Sequence, residues 1–262
     1  MTQALQAPPA PPVRPRLRWW REVLYVAAFY SVYTLIRNHG TVADSRSEAF
    51  RHAKQVIGVQ RLMGIYHEES IQDLFLPWEA FISFWDVFYG TAHFVVTVAV
   101  LVYLFRHLPW RYPLWRNTLA CTTGVALVGF ALYPLMPPRL LPAEYGFVDT
   151  LRVVGGLWSF ESGPVAKASN QYAAMPSLHF AWALWCVFAV LPVLRRRWAR
   201  GLMLAYPFLT LFAVVVTANH YFLDAVGGAA VLAVGFLLAR SLTRWLAAGD
   251  PTGQAVAAVT GT

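Results

Sequence analysis

The stretch Asn219–Leu246, NHYFLDAVGGAAVLAVGFLLARSLTRWL, decides how this chain is to be read. From Tyr221 onward it is apolar for long enough to cross a bilayer as a helix, because about 20 helical residues cover a hydrocarbon core of about 30 Å. Its beginning is different. His220 and Asp224 stand four residues apart, which places them on one face of a helix. Gly227 and Gly228 follow, and with Gly124 and Gly129 they are expected to let membrane helices approach closely.

Five more apolar runs precede this one: Trp20–Ile36, Trp78–Phe105, Asn117–Leu135, Pro176–Leu194 and Gly201–Thr217. With 58% hydrophobic and 13% charged residues over 262 positions, the chain has too little charge for an ordinary soluble domain. The expected fold class is therefore all-α, a polytopic membrane protein with about six transmembrane helices. Residues 19–246 form its single membrane domain. Residues 1–18, proline-rich from Ala7 to Pro15, read as an extended cytoplasmic tail, and residues 247–262 as a second flexible tail. No small-x-small cleavage site follows the first run, which reads as an uncleaved anchor.

A net charge of +8 could point to nucleic acid, but the placement of the basic residues marks membrane topology instead. Thirteen of the 21 Lys and Arg fall in alternate short segments: Arg14, Arg16, Arg18 and Arg21; Arg106, Arg111 and Arg116; Arg195, Arg196, Arg197 and Arg200; Arg240 and Arg244. The positive-inside rule assigns these to the cytoplasmic face and puts both chain ends there. Only Lys54 and Lys167 are lysines, a bias of GC-rich genomes. The expected location is a bacterial plasma membrane, with no nucleic-acid partner. Cys121 and Cys186 lie inside proposed spans and form no disulfide or metal motif. Trp19, Trp20, Trp78, Trp110 and Trp198 fall near span ends, where tryptophan anchors a helix at the interface.

Two outer segments are long. Asp44–Gly64 carries Ala49, Phe50, Ala53, Val56 and Ile57 at helical spacing among charged residues, an amphipathic helix lying at the membrane surface. It either roofs a site or simply connects two spans, and the sequence by itself favours the connector. Met136–Met175 is rich in Pro and Gly and has no periodicity; it brings Arg139, Arg152 and Lys167 to the outer face.

The segment Met175-Pro-Ser-Leu-His179 opens the fourth run much as His220 opens the sixth. Pro176 and Ser177 suit a helix start, whose first-turn amides bind anions such as phosphate. A carboxylate beside His220 can keep one ring nitrogen protonated and leave the other for attack on an electrophile or for a metal. No HExxH, HxxxH or thiol pattern supplies further metal ligands, so the nucleophilic reading is the better supported. Asp86 and His93 are seven apart in the second run, on similar faces, and ionisable groups inside a membrane ordinarily face a cavity or a partner. They are candidates for lining a lipid head-group pocket.

Met-Pro-Ser-Leu-His179 and His220-Tyr-Phe-Leu-Asp224 resemble the second and third signature motifs of the type 2 phosphatidic acid phosphatase superfamily, and Pro-Pro-Arg139 resembles its first. The combination of PSLH with HYxxD is similar to the branch containing inositol phosphorylceramide synthases and to the His-His-Asp triad of sphingomyelin synthases. The resemblance covers about Tyr133 to Gly228. It implies that His220 attacks phosphorus to give a phosphohistidine, that Asp224 orients its ring, and that His179 protonates the departing oxygen. Arg139 and the backbone amides around Ser177 and Leu178 would hold the phosphate oxygens. The implied substrate is a lipid phosphoester handled at the outer face, with no cofactor and no metal.

Four positions depart from that pattern. Leu132 stands where the superfamily has lysine, Leu140 where proline follows the arginine, Leu178 where the second motif has glycine, and Val214 where the third has arginine. Fewer cations suit a dianionic monophosphate less well than a phosphodiester, which favours head-group transfer over plain hydrolysis. Lys167 or Arg152 could supply the missing charge. The rival expectation is a non-catalytic lipid-binding or lipid-transporting protein of the same fold.

Overall fold

The computed structural model describes residues 17–38, 45–155 and 171–248. Among them are eight α-helices: α1 (Trp19–Asn38), α2 (Ser45–Leu62), α3 (Glu68–Phe75), α4 (Glu79–His107), α5 (Tyr112–Leu132), α6 (Leu178–Val190), α7 (Arg197–Val216) and α8 (Phe222–Ala248). No strand forms among the described residues beyond one isolated bridge between Leu135 and Ala173. The fold is all-α and polytopic. Three helices are long and apolar enough to cross a membrane, namely α4, α7 and residues Phe222–Trp245 of α8. The other expected spans correspond to α1, to α5, which carries Arg116 and Asn117, and to the shorter apolar helix α6. At about 1.5 Å per residue, the 13 residues of α6 are shorter than the hydrocarbon thickness.

Lipid-like surroundings explain a surface that water would not tolerate. Phe94, Val95, Val98, Leu202, Phe208, Val226 and Leu237 are each more than half exposed, all on long apolar helices. Trp19, Trp20, Trp78 and Trp198 are exposed as well, while Trp110 is only partly so.

Inside a bilayer, helix association rests on close packing rather than on removal of apolar surface from water. The α5–α8 pair is the most extensive, and it depends on Gly235. A Cβ there would stand 2.6 Å from the Thr122 amide nitrogen and 2.7 Å from its Cα. Gly228 performs the same service between α8 and the backbone of Ser177 at the head of α6, and Gly129 admits the Pro176 ring. Gly124, expected at such a contact, faces open space within 4 Å, so the residue that sequence spacing missed on α8 replaces it.

The buried apolar core around Leu104, Trp115, Trp185 and Leu232 fills the bundle between α4, α5, α6 and α8. Trp185 is fully buried and donates Nε1–H to the Trp115 carbonyl at 2.9 Å. At this end Arg116 pairs with Glu22 at 2.7 Å, and Arg111 donates to the Ala189 carbonyl at 3.3 Å. The arginine-bearing turns thus gather at the end of the bundle opposite the two site histidines.

The amphipathic helix is more than a connector. Its apolar face, Ala49, Ala53, Val56 and Ile57, is buried against Leu135, Met136, Leu141, Ala174 and Tyr221. Met136 N–H donates to the Ala49 carbonyl (3.2 Å) and His52 Nδ1–H to the Pro134 carbonyl (2.8 Å). With α3 it covers the turn that carries His220. The sequence-based preference for a mere connector is corrected by these contacts, which lie far apart along the chain.

Candidate active site

The turn between α7 and α8 holds the key histidine. Val214 accepts the amides of Asn219 (2.9 Å) and His220 (3.1 Å), and Val215 accepts that of Ala218 (2.9 Å). This paired closure of a helix end normally uses glycine at the left-handed position. Here Ala218 occupies it, with φ 52°. Local strain of this kind is held in place by its surroundings, and the Ala218 carbonyl accepts the Arg139 amide at 2.8 Å.

His220 and Asp224 meet, although His220 lies in the turn ahead of α8 and not, as their spacing predicts, on a helix face. His220 Nδ1–H donates to Asp224 Oδ2 at 3.2 Å, and the Tyr221 amide donates to the same oxygen at 2.8 Å. Asp224 is fully buried and His220 is 4% exposed. A carboxylate acceptor requires the proton on Nδ1, which leaves the Nε2 lone pair for chemistry. Asp224 therefore fixes a tautomer and also caps its own helix start, as an acidic residue in the first turn does.

The remaining first-turn amides of α8 are already occupied. Phe222 N–H donates to Glu68 Oε1 and Leu223 N–H to Gln60 Oε1, both at 2.9 Å, and Gln60 Nε2 donates to Glu68. Gln72 reaches the Val148 carbonyl at 2.9 Å and the Val216 carbonyl at 3.4 Å. Gln60, Glu68 and Gln72 are fully buried and clamp both sides of the His220 turn. Burial pushes the nearby Tyr66 hydroxyl up to about 12, so it stays neutral beside Glu68. No sequence pattern marks these three residues, because their backbone partners lie about 75 to 165 positions away.

The head of α6 differs. Ser177 is the N-cap, its Oγ accepting the Phe180 amide at 3.4 Å. Its own amide is spent on the Asp224 carbonyl at 2.9 Å. Of the two amides expected to hold phosphate, Ser177's is thus engaged, which leaves the Leu178 and His179 amides as the first-turn donors without an intrahelical acceptor. That same bond ties α6 to α8 and brings the His179 and His220 ring centroids to 5.7 Å. His179 stacks on Tyr89 at 4.4 Å and meets His93 edge-on at 4.3 Å. Of the two α4 residues expected to line a head-group pocket, His93 therefore meets this centre, whereas Asp86 is turned to Thr150. A small cavity lies there, lined by His93, His179, Tyr89, Phe88, Thr210 and Val214, with Ala92 and Ala213 completing it.

Arg139 is anchored against the same turn. Its Nε donates to Asn219 Oδ1 at 3.0 Å and its Nη1 pairs with Asp149 Oδ2 at 3.0 Å. Asn219 is in turn fixed through Nδ2 to the Thr217 hydroxyl at 2.8 Å. Thr150, next to Asp149, donates to Asp86 Oδ1 at 2.8 Å. Asn219 and Asp149 were not singled out by spacing, although Asn219 adjoins the histidine. Arg152 is exposed, and Lys167 lies outside the described residues. Val214 is buried and Leu132 is 78% exposed, so neither departure position carries a cation into the site. Among the described residues no group of three or more His, Cys, Asp or Glu side chains is placed to hold a metal ion.

Two imidazoles, a carboxylate and an anchored guanidinium now stand together at one end of a helical bundle. The family model of the PAP2 superfamily matches residues 54–238, about 70% of the chain. The chain belongs to the PAP2 superfamily. No curated protein and no solved structure matches it. The PAP2 match runs from α2 through most of α8 and so includes the clamp as well as the histidine motifs. PAP2 membership supports phosphatase or phosphotransferase chemistry on a phosphoester in a membrane setting.

Proposed function

We propose that this protein transfers or hydrolyses the phospho-head group of a membrane lipid through a phosphohistidine on His220. The observation that carries the reading is the buried His220–Asp224 hydrogen bond facing His179 across 5.7 Å. His220 Nε2 attacks phosphorus, the nitrogen–phosphorus bond forms, and the bond to the leaving alkoxide oxygen breaks. His179, entering the step protonated, gives its proton to that oxygen. In the second half, neutral His179 takes a proton from water or an acceptor alcohol, whose oxygen displaces His220. Throughout, Arg139 and the Leu178 and His179 amides stabilise charge on the phosphoryl oxygens; charge stabilisation and in-line placement are the main requirements of this reaction.

Charge favours a phosphodiester as donor and a lipid alcohol as acceptor. Arg139 already faces Asp149, and Asp86 stands one contact further away through Thr150. A second full negative charge on the substrate would add to that field without a compensating cation at Leu132 or Val214. Head-group transfer, as in the inositol phosphorylceramide synthase-like branch, fits this balance better than monophosphate hydrolysis. The arginine-rich turns at the opposite end of the bundle support an outward-facing site with both chain ends cytoplasmic, and a membrane domain over residues 19–246.

The test is turnover of a phospholipid panel, with and without alcohol acceptors, by wild type and His220→Ala. The reading expects loss of all product in the variant with normal membrane insertion, and transferred head group in excess of released phosphate for wild type. Unchanged turnover in His220→Ala removes the assigned nucleophile. Binding and movement of lipid with no product from either protein favours the non-catalytic alternative.

A further inference from the structure

His220 has Asp224, but His179 has no carboxylate: among the described residues no hydrogen bond or ion pair reaches its ring. A general acid whose ring has no hydrogen-bond partner must be oriented by packing instead. The ring is held by Tyr89, stacked at 4.4 Å and 27°, and by His93 at 4.3 Å and 70°. His93 is itself fixed, since its Nδ1–H donates to the Tyr89 carbonyl at 2.9 Å. A carbonyl can only accept, so the proton of this hydrogen bond sits on His93 Nδ1. Phe94 at 3.9 Å and Trp182 at 5.9 Å wedge the ring from its other sides.

We infer that His93 is a positioning residue for the general acid: locked to the Tyr89 carbonyl, it holds the His179 ring in the orientation that proton delivery requires. The inference rests on the proposed function, in which His179 delivers a proton to the leaving oxygen. It explains an otherwise costly polar residue on α4, at the same level as the site and one turn beyond Tyr89. His93 and Tyr89 fix the His179 ring by packing, where His220 is fixed by a carboxylate. Asp224 Oδ2 is shared between His220 and the Tyr221 amide, and among the described residues no hydrogen bond joins Asp224 to the His179 ring.

The experiment separates proton delivery from folding by changing the leaving group. Wild type, His93→Phe and His93→Gln are assayed on a long-chain alkyl phosphodiester whose leaving group is ethanol and on the matching diester that releases p-nitrophenol. Ethoxide needs a proton as it departs, whereas nitrophenolate does not. His93→Phe keeps an aromatic ring of similar size, and the expected result is a loss of about 10- to 100-fold on the ethyl ester, at least tenfold larger than on the nitrophenyl ester. His93→Gln, which retains a hydrogen-bonding group, is expected to recover part of the ethyl-ester rate. Equal losses on the two substrates, or no loss on either, overturn the inference. His220→Ala tells this apart from failure of the parent reading: nitrophenol release that persists in His220→Ala sinks the phosphohistidine mechanism, as does a wild type that cleaves neither ester.

Discussion

Replacing Gly228 with alanine should disable the site without touching any of its polar groups. Gly228 lies on α8 one turn after Asp224, and a Cβ there would collide with the Ser177 carbonyl oxygen and stand 3.4 Å from the Ala181 amide nitrogen. Both atoms are backbone, and they are joined by the first hydrogen bond of α6 at 3.1 Å, so no side-chain rotation relieves the overlap. The head of α6 must move by on the order of 1 Å, at a cost of about 1–3 kcal/mol for overpacking. His179 moves with it. A misplacement of that size at a reacting group lowers a rate by about 100-fold. The assay is lipid phosphoester turnover by detergent-solubilised protein together with thermal unfolding. Gly124→Ala serves as the control, because the same methyl there meets nothing within 4 Å. The expected outcome is a rate about 100-fold lower and a reduced Tm for Gly228→Ala, with Gly124→Ala close to wild type. A Gly228→Ala protein within about threefold of wild type would refute the argument that this close approach sets His179.

Other perturbations test neighbouring parts of the site. Asp224→Asn removes the charge that holds the His220 proton on Nδ1 and should lower kcat by about 100- to 10,000-fold while the protein remains folded by circular dichroism. Glu68→Ala orphans the Phe222 amide and a Gln60 donor in a fully buried position, an expected loss of about 1–3 kcal/mol measured by thermal or denaturant unfolding. Arg139→Lys keeps a positive charge but not the two-sided grip on Asn219 and Asp149, so turnover should fall at least about tenfold, with retained wild-type kinetics counting against its role. Ala218→Gly relieves a left-handed alanine worth about 1 kcal/mol; a higher Tm is expected, and a fall of several degrees would contradict the strain.

Much of this architecture was legible because membrane helices announce themselves by length and composition. The runs ending at Phe105, Thr217 and Leu246 correspond to α4, α7 and α8 within two residues at those ends. Prolines account for the errors at two other ends. Pro134 ends α5 before Leu135, and Pro192 stops α6 at Val190 although apolar residues continue. The His220–Asp224 pair was legible in its spacing, but not as two residues on one helix face: His220 lies in the turn before α8 begins at Phe222, and Asp224 reaches back to it from the first turn. The clamp of Gln60, Glu68 and Gln72 was not legible, because a buried glutamine or glutamate looks like any surface residue until its backbone partner is known. The eight-residue helix α3 was missed for the same reason: Glu68 and Gln72 interrupt its apolar pattern and are buried by contacts with distant segments. The shared α4 face of Asp86 and His93 could be read from their spacing, but not that His93 would touch His179.

The most direct test of the central claim is where phosphorus goes during turnover. Enzyme mixed rapidly with a phospholipid radiolabelled at phosphorus, quenched in base and digested, is expected to carry the label on the peptide containing His220. Mass spectrometry should place one phosphoryl group, with any retained head group, on that imidazole, and His220→Ala should carry none. Label on His179 instead, or turnover with no labelled enzyme even when acceptor is withheld, would contradict the account.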